Sequence, residues 1–111
     1  MQNVTSTPPK HRTVISTFVN ASALGSTAVV NAIAGKSIRV VSAAIVTTLA
    51  NNVKFLSAPT DISATWPLGA NGGIVLPYND HGWVQTAEGE ALNINLSVAT
   101  ATGVHIEYIA V

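Results

Sequence analysis

The chain has 111 residues, no cysteine, and five basic residues set against five acidic ones. That length fits one domain, and the absence of cysteine removes disulfide frameworks and thiolate metal sites. With 9% charged and 48% hydrophobic residues and no net charge, nothing pulls nucleic acid or an anionic membrane from a distance, and either partners cover much of the surface or the surface is neutral and rich in Ser, Thr and Asn.

Residues 1–12 are polar, contain Pro8 and Pro9, and end in the basic cluster Lys10, His11 and Arg12. They hold too little apolar surface to offset the entropy of ordering. A flexible arm is expected, either a frayed terminus or a segment that orders against a neighbour. The basic cluster followed by Val14–Val19 and Ala21-Ser22-Ala23 copies the outline of a secretion signal. Its apolar part is short and broken by Ser16 and Thr17, which speaks for a strand instead. No run of 18 apolar residues exists, so no membrane-spanning helix is expected.

From Thr13 onward the chain reads as strand and turn, one domain over 13–111. Residues 13–20 are rich in β-branched side chains and Phe18. Gly25 lies in the break that follows, and residues 27–33 form the next strand. Ala34-Gly35-Lys36 is a tight turn. Residues 37–49 make a longer strand, with a bulge expected at Ala43-Ala44, where the apolar set changes face. Asn51-Asn52 suits a turn. Residues 53–58 form a strand that Pro59 ends, and Trp66-Pro67 marks 62–68 as an edge strand or extended loop. Residues 74–76 and 83–86 are short strands on either side of a polar loop.

The last stretch carries the clearest pattern. Leu92, Ile94, Leu96 and Val98 alternate with Asn93, Asn95 and Ser97. Val104, Ile106, Tyr108 and Ala110 alternate with His105 and Glu107. Each segment has one dry and one wet face, and the small residues between them suggest a hairpin. Eight or nine short strands with regular turns point to an all-β antiparallel β-sandwich and fit either an immunoglobulin-like sandwich or a jelly roll; the Cys…Trp…Cys signature of the former is absent, and an eight-stranded jelly roll is expected.

Candidate chemistry is sparse. Gly35-Lys36-Ser37 resembles the end of a phosphate-binding loop, but Val30 stands where the first glycine belongs and a strand follows instead of a helix. His105 and Glu107, two apart on one strand face, could chelate a metal, with His81 as a third ligand; a solvated or interface strand face explains them without one. Glu88 and Glu90 flank Gly89, which suits a solvated turn better than paired catalytic carboxylates. Trp66, Tyr78 and Trp83 sit in or beside loops. Exposed, Trp66 and Tyr78 could stack on a ligand or an interface; packing is the simpler reading, and Trp83 in particular is expected in the core. Asn-X-Ser/Thr at Asn3, Asn20 and Asn95 is a chance match in a chain rich in these residues.

Gly35-Lys36-Ser37-Ile38-Arg39-Val40, then Gly72-Gly73-Ile74-Val75-Leu76-Pro77-Tyr78-Asn79, Gly82-Trp83, Thr86-Ala87, Gly89-Glu90-Ala91-Leu92-Asn93 and Gly103-Val104 together resemble a family of small β-rich virion proteins of tailed bacteriophages. The resemblance spans residues 27–111 and brings no catalytic motif and no cofactor. It implies a capsid decoration, or cement, protein on the phage head, made in the host cytoplasm, that bridges major capsid subunits as a homotrimer. Neither nucleic acid nor membrane is an expected partner. Lys10, His11 and Arg12 are the expected capsid contact. Two rivals remain from the residues alone: a receptor- or carbohydrate-binding module of a tail or fibre using Trp66, Tyr78 or Asn79, and a cupin-type enzyme using His81, His105 and Glu107.

Overall fold

Short segments that are dry on one side cannot hide that side alone; stacked sheets hide it face to face. A computed structural model describes residues 13–111, and every regular element among them is a strand. They are β1 (Ile15–Ala21), β2 (Gly25–Val30), β3 (Ile38–Thr47), β4 (Asn51–Ser57), β5 (Thr60–Asp61), β6 (Trp66–Leu68), β7 (Gly73–Leu76), β8 (Val84–Gln85), β9 (Leu92–Leu96) and β10 (Thr102–Ala110).

The first sheet runs β1-β10-β3, with β7 and β8 lying end to end along the far side of β3. The second runs β2-β9-β4, with β5 and β6 end to end along β4. All pairs are antiparallel. The pairing is nested: β1 with β10, β2 with β9, β3 with β7 and β8, β4 with β5 and β6. That is the winding of a jelly roll, a long folded ribbon rolled into two layers. Ten strands appear where eight or nine are expected because two positions are each broken in two.

The core lies between the layers. Val40, Ile45, Val104 and Ile106 face Val53, Phe55, Leu92, Ile94 and Leu96, none more than 1% exposed. Trp66 meets Phe55 edge-on, with ring centroids 6.0 Å apart, an arrangement aromatic rings favour.

Four local expectations are corrected. β9 and β10 are not a hairpin: β9 belongs to the second sheet and β10 to the first, so residues 97–101 arch across the sandwich. Val98 and Ala110 fall outside the dry faces and are exposed, Val98 because the alternation stops with β9 at Leu96. The bulge lies at Val41, not Ala43-Ala44. Ser42 pairs with Glu107 and Val40 with Tyr108, which leaves Val41 without a partner on β10. Asn51 is not a turn residue but the buried first residue of β4.

Candidate binding face

Odd and even residues of a strand point to opposite sides, so the register fixes what the outer face of the first sheet displays. One row crosses it as Phe18, His105, Ala44 and Val75. The next row is Ser16, Glu107 and Ser42, and the one on the other side is Asn20, Gly103, Val46 and Gly73. Phe18 is 65% exposed, Val75 72%, Val46 57%, and Tyr78, in the loop after β7, 55%. Four large apolar or aromatic side chains therefore stand in water around one face.

Small side chains on β3 leave a dip between these ridges. A shallow hollow of about 310 Å³ has Ala44 in its lining, His105 and Glu107 on one side, and Val75, Pro77 and Tyr78 on the other. The Phe18 ring stacks on His105, with centroids 6.1 Å apart. Ser42 donates its hydroxyl to Glu107 Oε1 at 2.7 Å, and Ser16 donates to Oε2 at 3.4 Å, so three strands hold that carboxylate in place. Asp80 raises the pKa of the Tyr78 hydroxyl, mainly by hydrogen bonding; desolvation, the charge of Asp80 and the charge of Glu107 act in the same direction.

The second sheet's outer face is different. Ser26, Asn95 and Lys54 form a row across it, beside Ala28, Asn93 and Leu56. Asn95 donates to Ser26 Oγ at 3.2 Å, and Lys54 pairs with Asp61 at 3.0 Å. The first sheet's flank sets large exposed apolar side chains among polar ones, whereas the rows on the second are mainly polar.

Neither a protein-family model nor a curated protein matches the chain.

The residues singled out by sequence are scattered. Lys10, His11 and Arg12 lie outside the described residues. Trp66 sits on β6 of the second sheet, half-buried against the core, and is not brought to Tyr78. Trp83 is not in the core: it is 42% exposed, and its Nε1–H donates to Pro77 O at 2.7 Å. Neighbours on a strand face opposite ways, and Val84 takes the inward place. Among the described residues, no three His, Asp or Glu side chains are grouped to hold a metal ion, so His81 does not join His105 and Glu107. His81 instead donates its backbone N–H to Asn79 Oδ1 at 3.0 Å.

Glu90 is not a solvated turn residue. It accepts the Ser57 hydroxyl hydrogen, and that hydroxyl oxygen accepts the Ala87 N–H at 3.0 Å, which ties the turn before β9 to the end of β4. Gly35-Lys36 is a turn leading into a strand, with the Gly89 N–H donating to Lys36 O at 2.8 Å. Phe18, Val46 and Val75 are the exposed residues that motif reading passes over. Phe18 had a usable signal, since it shares parity with Ser16 and Asn20 on the wet side of β1.

Proposed function

We propose that this protein is a capsid decoration protein of a tailed-bacteriophage head, binding the major capsid protein through the outer face of its first sheet. The observation that carries the reading is the cluster of exposed Phe18, Val46, Val75 and Tyr78 on one flank, against a polar opposite flank. Apolar residues grouped on one face, unlike single scattered ones, mark an interaction surface, and few charges keep the desolvation cost of a broad contact low. Many copies on a shell multiply a modest energy per site. The phage assignment itself comes from the resemblance of residues 27–111.

Heads lacking the protein provide the test. Purified wild-type chain should bind them to saturation. The double variant Val46→Asp, Val75→Asp should bind at least roughly tenfold more weakly, a loss of about 1.4 kcal/mol, with an unchanged unfolding midpoint. Wild-type occupancy by the double variant would discard this face as the contact, and no binding by either chain would discard the function.

The hollow between Tyr78 and Glu107 favours a second reading, a carbohydrate-binding module of a tail or fibre. An aromatic side chain beside a fixed carboxylate suits a sugar, with one apolar ring face and hydroxyls at its rim. Glycan binding that is lost in Tyr78→Ala, with no binding to heads, would select it.

A further inference from the structure

A sheet edge can accept another strand because its outer backbone groups lack ladder partners. Two open sheets have four edges, and three of these are blunted. β5 and β6 are two and three residues long, and β6 contains Pro67. β7 and β8 are four and two residues long, with Pro77 just after β7. β2 slips register against β9 between Ala28 and Val30. Short strands, prolines and bulges are the devices that keep edges from pairing.

β1 has none of them. Its seven residues pair with β10 without a register shift. Residues 13–21 contain no charge, no proline and no glycine. Among the described residues, no strand pairs with its other side. Val14 and Ile15 are each 40% exposed there, and Phe18 more so.

We propose that β1 pairs antiparallel with β1 of a second copy about a two-fold axis, joining two first sheets into one. The neutral strand itself points to that occupant. Full overlap of Ile15–Ala21 with its copy puts Phe18 opposite Phe18 and sets no charge against a like charge, which would cost stability. A self-complementary contact also consumes both edges and closes, whereas head-to-tail addition leaves an edge open and grows fibres. The joined sheet carries Phe18, Val46 and Val75 of both copies on one face. The contact is independent of any shell, and a three-fold unit, as the sequence resemblance implies, would need a different surface.

The test uses the full chain in solution without phage particles. Native mass and amide hydrogen exchange should show a dimer whose β1 amides gain protection with concentration. Phe18→Lys and Phe18→Glu place like charges across the axis, and each alone should weaken dimerisation at least roughly tenfold. An equimolar mixture of the two should restore it, which a merely unfolded variant cannot do. The proposal is overturned by a wild-type chain monomeric at about 100 μM, by a trimer with unprotected β1 amides, or by a mixture no more dimeric than its components.

Discussion

Tyr78 shows how one exposed side chain reports on its neighbours. The fold raises its pKa through Asp80 first, with Glu107 adding to the effect. A raised value means that the folded state favours the protonated phenol. Its contribution to stability is therefore complete below the ordinary value of 10.0 and is lost as pH rises through the higher folded value. In a Tyr108→Phe background, phenolate absorbance should rise at a lower pH in Asp80→Asn than in its parent. Identical titrations would show that Asp80 does not hold the proton. At this scale the sequence was only partly legible. It marked Tyr78 as a loop aromatic, but nothing in the string says that the sheet brings Glu107, 29 positions later, to its side.

At the scale of strands, alternation was a good guide to which side is dry and no guide to which strand lies alongside. Leu92, Ile94, Leu96, Val104, Ile106 and Tyr108 are all buried, as their spacing implies. A hairpin and an arch between sheets need the same alternation, so alternation alone does not tell residues 97–101 apart from a hairpin loop. What makes them an arch is Asn51. Its Oδ1 accepts from the Ser97 N–H at 2.9 Å, the Ser97 hydroxyl at 3.1 Å and the Val98 N–H at 3.1 Å, and its Nδ2 donates to Val98 O at 3.2 Å. The Thr48 N–H donates to Ala101 O at 3.0 Å from the same turn. Asn51→Ala removes the buried partner of all four groups and should cost about 1–3 kcal/mol. Urea unfolding should show a lower midpoint at an unchanged slope. Asn51→Asp, which keeps the acceptor, should be milder. A loss below about 0.5 kcal/mol in the alanine variant would mean that the arch is held elsewhere. The bulge was also legible only in outline. A change of face along β3 is visible in sequence, but it takes the pairing with β10 to show that Val41 is the extra residue.

Across the whole molecule, the jelly roll follows from many short dry-sided strands, and its order follows from nested pairing that no single segment encodes. The two outer flanks were the least legible part. Val46 and Val75 look like core residues by type, yet the core is already filled from both layers, and each sits on the outward parity of its strand. With Ser26, Asn95 and Lys54 on one flank and Phe18, Val46 and Val75 on the other, the sandwich has a built-in sense of up and down. Laid on a surface by the flank that carries Phe18, Val46 and Val75, it presents amides and an ion pair to whatever arrives next, a poorer seat for a second layer. Coverage should stop at a single coat. Mass per particle titrated against added protein should reach a plateau, and a continued climb would show that the polar flank also adheres.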